Sequence, residues 1–142
     1  MTLHKLEQRL QAIEASGQVN TLAGSQVGLE KECLRVAESG SISQTPHPRS
    51  LGSPLTNPYI TTDFSEALLE LITPPCDSIG AALEFLNDLQ AFVYSNLREE
   101  TLWATSMPCV VESGDSIPIA QYGQSNAGKM KTVYRRGLGY RY

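Results

Sequence analysis

Two consecutive prolines, Pro74 and Pro75, constrain the fold of this chain more than any other feature. Proline lacks a backbone donor and disfavours helix in the residue before it. The run ahead of them, 60–73, contains Ala67, Leu68, Leu69 and Leu71, which suit a helix as well as a strand. The prolines favour an extended stretch over 68–73. Beyond them Asp77 or Ser78 is placed to cap a helix. Ile79, Ala82, Leu83, Leu86, Leu89, Phe92 and Val93 supply its apolar stripe, which ends near residues 96–98.

The other elements are read in the same way. Leu3, Leu6, Leu10 and Ile13 recur at helical spacing, with Gly17 as the stop. Residues 25–36, with Val27, Leu29, Cys33, Leu34 and Val36, favour a strand. Residues 40–58 include Pro46, Pro48, Pro54 and Pro58, which predicts a long ordered loop or a short hairpin. Residues 103–111 are mixed and apolar, 117–122 predict a short strand, and 123–128 predict a flexible polar loop. Strands alternating with helices indicate an α+β fold.

Composition narrows the function. The chain has 142 residues, 41% hydrophobic and 18% charged, with a net charge of -4. That describes a globular chain and argues against a general nucleic-acid or anionic-membrane binder. Cys33, Cys76 and Cys109 are scattered, and with His4 and His47 they give no zinc pattern. Reduced thiols fit a cytoplasmic setting. No apolar run approaches the roughly 20 residues of a membrane-spanning helix, and the first ten residues lack the apolar stretch of a secretory signal.

Carboxylates interrupt two apolar stretches. Glu30 and Glu32 fall two apart, so on a strand they share a face with Leu34 and Val36 and are expected to be partly buried. Asp63, Glu66 and Glu70 precede the prolines, and Glu70 sits between Leu69 and Leu71. Two like charges about 4 Å apart repel by about 4 kcal/mol at an effective dielectric of 20. Protonation, a basic partner or a metal ion relieves this. Oxygen ligands without a His or Cys cluster suit Mg²⁺ or Mn²⁺. An exposed strand pairing Glu30 and Glu32 with Lys31 or Arg35 also satisfies these residues. So does a cap at Asp63 with Glu66 and Glu70 on a solvated helix face. Spacing alone leaves these alternatives open.

The segments GLEKECLRV (28–36), LGSPLTNPYITTDFSEALLELITPP (51–75), SMPC (106–109) and QYGQSNAGKMKTVYRRGL (121–138) resemble the N-terminal motifs of gamma-proteobacterial glutamate–cysteine ligases, in order and approximate spacing. The resemblance runs from about residue 24 onward. It implies part of a glutamine synthetase-like antiparallel sheet with flanking helices, curved around a funnel-like active site. It also implies ATP-dependent joining of L-glutamate and L-cysteine through γ-glutamyl phosphate, the first step of glutathione biosynthesis. Glu30, Glu32, Asp63 and Glu70 match the family's metal-site acids, with Glu66 a less certain supporting group. Tyr134 and Leu138 match positions around the cysteine substrate, and Arg135 a basic residue near substrates and phosphates. No catalytic residue is assigned, and the nucleotide-contacting residues and oligomeric state stay open.

Family members are several times longer, and the sequence stops at Tyr142 without a helix cap. Residues 1–142 are therefore expected to be a truncated N-terminal portion of the catalytic domain, with an incomplete sheet and no efficient catalysis alone. An inactive ligase fragment is the alternative. Another is a nucleic-acid-binding module using the basic end, where Lys129, Lys131, Arg135, Arg136 and Arg141 are five of the eleven basic residues, beside Tyr134, Tyr140 and Tyr142. The near P-loop at 123–130 places Met130 where Mg²⁺ needs Ser or Thr, so ATP is expected to bind through another architecture. Cys33 and Cys109 read as structural thiols and His47 as a loop residue.

Overall fold

A computed structural model describes residues 2–139. Four strands form one antiparallel sheet in the order β2-β3-β1-β4: β1 (Glu30–Ala37), β2 (Ile60–Thr62), β3 (Leu68–Ile72) and β4 (Glu100–Leu102). Helices α1 (Leu3–Ala15), α2 (Val19–Leu22), α3 (Ile79–Asn96) and α4 (Asn126–Gly139) accompany it.

The extended reading ahead of Pro74 is correct, because β3 is the central partner of both β1 and β2. Ser78, rather than Asp77, caps α3, its Oγ accepting from the Ala81 amide at 3.1 Å. The α3 stripe is only partly buried. Ala82 and Val93 are fully buried, with Leu86 and Leu89 packed against the core between them, whereas Ile79, Leu83 and Phe92 are exposed. This seam covers one sheet face, where Cys33, Ile60, Leu69 and Leu71 join Leu51, Val93 and Leu102 in the main core. Burying that apolar area is the principal stabilisation of the domain.

The opposite face carries a second, smaller cluster at one end, formed by Val36, Ile42, Ala67 and Cys109 with Leu34, Trp103, Val111 and Ile117 beside it. The carboxylates lie on this second face.

Several boundaries differ from expectation. Residues 25–29 precede the strand, held by a bridge between Val27 and Cys76 and by hydrogen bonds between Leu29 and Thr73. The loop over 40–58 is ordered, with a 3-10 turn at Arg49–Leu51 and bridges at Ser41 and Ile42. Residues 117–122 make one bridge, Ser65 with Ile119, instead of a strand. Strand β4 lacks a sequence signal because it is three residues long. Helix α4 begins inside the expected polar loop. Gly123 turns at φ 58, and a Cβ on Gly128 would stand 2.7 Å from the Gly123 carbonyl oxygen. At Gly128 the close backbone approach leaves no room for a side chain. Helix α1 is as read, with Gly17 at φ 69 after it, and it has no buried residue.

Candidate active-site face

The strand register brings the predicted acids together. Glu32 pairs directly with Glu70 across β1 and β3, and Thr61 pairs with Glu70 from β2. Period two puts Glu30 on the same face. Asp63 follows β2, its amide donating to the Leu68 carbonyl at 3.1 Å. The hairpin therefore holds Asp63 beside Glu70's end of the sheet. Burial raises the pKa of Glu70 above its ordinary 4.5, and the charges of Glu30, Asp63 and Glu32 raise it further, while Lys131 opposes them. The four acids thus share one electrostatic field.

One expectation needs correction: Glu30 and Glu32 are exposed. Leu34 and Val36 shield only the far end of the face, where the second cluster packs. Among the described residues, no three His, Cys, Asp or Glu side chains converge closely enough to hold a metal ion by themselves. The donor set is chemically suited to a hard cation, but the described residues do not close a coordination sphere.

Lys131 brings a cation to this face. Its ammonium donates to the Asp63 carbonyl, lies 3.8 Å from Asp63 Oδ1 and stands 5.0 Å from the Tyr122 ring centroid. Among the described residues, four carboxylates thus share this face with the Lys131 ammonium, and that imbalance favours a further cation. Sequence reading missed Lys131, since α4 was not expected and its approach is set by tertiary packing.

The expected substrate residues lie on α4. Tyr134 is 65% exposed and meets Phe64 edge-on, with ring centroids 6.4 Å apart. Arg135 donates from Nη1 to the Ile117 carbonyl at 3.0 Å and from Nη2 to the Gly114 carbonyl. In this structure its guanidinium braces the preceding loop. Leu138 lies within α4, but its side chain is outside the described residues, as are Tyr140, Arg141 and Tyr142.

Glu66 is neither on a strand nor on the face of Glu70. It is 5% exposed, in the turn between β2 and β3. Its Oε1 accepts from the His47 amide at 2.8 Å and its Oε2 from the Gln121 amide at 2.6 Å. Nearby, fully buried Arg35 pairs with Glu100 at 2.6 Å, and donates to the Thr45 hydroxyl at 2.8 Å and the Glu66 carbonyl at 3.0 Å. Burial alone would raise the pKa of Glu100. Hydrogen bonds from Ser43, Thr45 and Arg35, with the Arg35 charge, outweigh that and hold it below 4.5. Strand parity could have found Arg35, because it alternates with Cys33 onto the buried side of β1.

Comparison with known proteins fixes the family. The glutamate–cysteine ligase family model matches residues 10–142. Glutamate–cysteine ligases of Alcanivorax borkumensis and Saccharophagus degradans are 56% and 54% identical over 96% and 85% of this chain. These alignments cover 26% and 23% of those proteins. A crystal structure of the Francisella tularensis glutamate–cysteine ligase in complex with AMP superposes with a TM-score of 0.72, at 48% identity over 81% of this chain and 23% of that one. A bifunctional glutathione synthetase from Pasteurella multocida gives a TM-score of 0.73, at 35% identity over 92% of this chain and 17% of that one. The chain belongs to the glutamate–cysteine ligase family, and it spans about a quarter of the length of the curated relatives it matches.

Proposed function

We propose that this chain supplies one wall of a glutamate–cysteine ligase active site, as the N-terminal portion of its catalytic domain. The reaction is ATP-dependent. The γ-carboxylate oxygen of L-glutamate attacks the γ-phosphorus of ATP and ADP leaves. The amine of L-cysteine then attacks the acyl carbon of γ-glutamyl phosphate, phosphate leaves, and the amine loses a proton to give γ-glutamylcysteine.

The observation that carries this reading is the direct pairing of Glu32 with Glu70, with Glu30 on the same face and Asp63 beside it. These four would hold Mg²⁺ or Mn²⁺ together with ligands from other segments, since the described residues do not complete the sphere. The ion, when bound, would neutralise phosphate charge and orient the γ-phosphate. Lys131 fixes Asp63 at the edge of this face. Tyr134 and Leu138 would contribute to the cysteine pocket, and Arg135 would meet substrate carboxylate or phosphate after exchanging its carbonyl partners. The AMP bound to the Francisella relative supports nucleotide use.

Three free thiols, two of them buried, support a cytoplasmic setting. No helix among the described residues is long and apolar enough to cross a membrane. Against a nucleic-acid module, Lys131 and Arg135 are turned onto this chain's own carbonyls.

The test is Mn²⁺ binding, followed by paramagnetic resonance, beside γ-glutamylcysteine synthesis, both in a complete ligase carrying this segment. Binding lost in both Glu32→Gln and Glu70→Gln, with synthesis impaired, is expected. Binding and synthesis at wild-type levels in both would reject the reading.

A further inference from the structure

Glu66 ties together segments that are remote in sequence. Its carboxylate holds the amide of His47 in the long loop and that of Gln121 ahead of α4. Its own amide donates to the Pro118 carbonyl at 2.9 Å, and the Ala120 amide donates to the Phe64 carbonyl at 3.1 Å. One residue beyond Gln121, the buried Tyr122 hydroxyl bonds the Thr62 side chain at 2.6 Å and also the Thr62 carbonyl. Residues 62–66 and 118–122 are therefore stitched side by side, and α4 starts four residues after Tyr122. Along α4, Lys131 returns to Asp63 and Tyr134 returns to Phe64.

We propose that Glu66 is a positioning residue that docks α4, with Tyr134 and Arg135, onto the carboxylate face. The proposal rests on the ligase reading only for what those two residues contact. A carboxylate suits this position because both of its oxygens must accept from backbone N–H groups. Glutamine presents one NH₂ and leaves one part-buried amide facing a donor. Glu66 touches no reacting atom, and its effect passes through the 118–122 segment.

Amide hydrogen exchange on the chain tests the docking. In Glu66→Gln, exchange should rise about tenfold or more at His47, at Gln121 and through α4, which corresponds to one part-buried amide left without its acceptor. Protection of β1 and β3 should be kept. Unchanged exchange at Gln121 and α4 would overturn the proposal. Should Glu66→Gln also lose protection across β1 and β3, Glu66→Asp decides, since it keeps the charge but is one methylene short. The confined pattern in Glu66→Asp supports positioning, and a global pattern in both variants makes Glu66 a general fold residue and overturns it. In a complete ligase carrying this segment, Glu66→Gln should raise KM for cysteine about tenfold and leave KM for ATP within about twofold. Confined exchange changes with no effect on cysteine KM would leave the docking role standing and count against cysteine contact by Tyr134.

Discussion

Glu32 and Glu70 stand opposite each other on adjacent strands, so two carboxylates occupy a single cross-strand pair. Like charges so placed are unfavourable, and the pKa of Glu70 is raised by burial and by its acidic neighbours. A carboxyl with a raised folded-state value contributes stability below its unfolded value of 4.5. That contribution is lost as pH rises through the folded value. Glu70→Gln should therefore stabilise the metal-free chain at neutral pH by about 0.2–1 kcal/mol, with the gain vanishing in acid. Urea unfolding at several pH values reads this, and equal stability of variant and wild type at pH 7 would contradict it.

The same acids should govern metal response. In a complete ligase carrying this segment, Glu30→Gln or Glu70→Gln should weaken Mg²⁺ dependence and lower turnover. The loss should exceed the roughly 10–100-fold cost of removing a mere supporting partner of a metal ligand. Titrating activity against Mg²⁺ is the measurement, and wild-type curves for both variants would remove the ligand assignment.

Arg35 and Glu100 form a buried ion pair, and the Ser43 and Thr45 hydroxyls donate to the Glu100 carboxylate. Removing one partner strands a charge, so Arg35→Ala should cost about 3–5 kcal/mol. Glu100 has a depressed folded-state value, so its contribution is present above 4.5 and lost as pH falls through that folded value. Chemical denaturation should show a penalty for Glu100→Gln at pH 7 that shrinks in strong acid. A pH-independent difference would be inconsistent with this pairing.

His47 has both ring nitrogens buried without a hydrogen bond of good geometry. Burial, and then the Arg35 charge, lower its pKa below 6.5, opposed by Glu66 and the Gly52 backbone. The unfolded chain therefore takes up a proton first. Stability is present above 6.5 and declines as pH falls through the folded value. His47→Gln should flatten the stability profile as pH falls below 6.5, measured by thermal unfolding. A wild-type slope in the variant would assign it to other groups.

The sequence made the central architecture legible wherever a local rule was decisive. Pro74 and Pro75 forced the extended reading of 68–73, and Ser78 with the stripe through Val93 marked α3. The acids were legible as residue types, and the family motifs matched them to a metal site. Helix α4 was not legible, because Gly123, Ser125 and Gly128 have loop-like propensities. A Ser125 Oγ accepting from the Gly128 amide at 3.1 Å and close packing on residues 122–123 override them. The burial of Glu66 was equally hidden, since its partners are amides 19 and 55 residues away.

What the sequence by itself determined was strands β1 and β3, the α3 helix and the presence of five acids, because period and turn chemistry are local properties. The tertiary structure decided which acids meet. Register placed Glu32 against Glu70, while the turn between β2 and β3 took Glu66 out of their face and buried it under two backbone amides. Pairing across strands depends on contacts between distant segments, and no local spacing encodes their outcome.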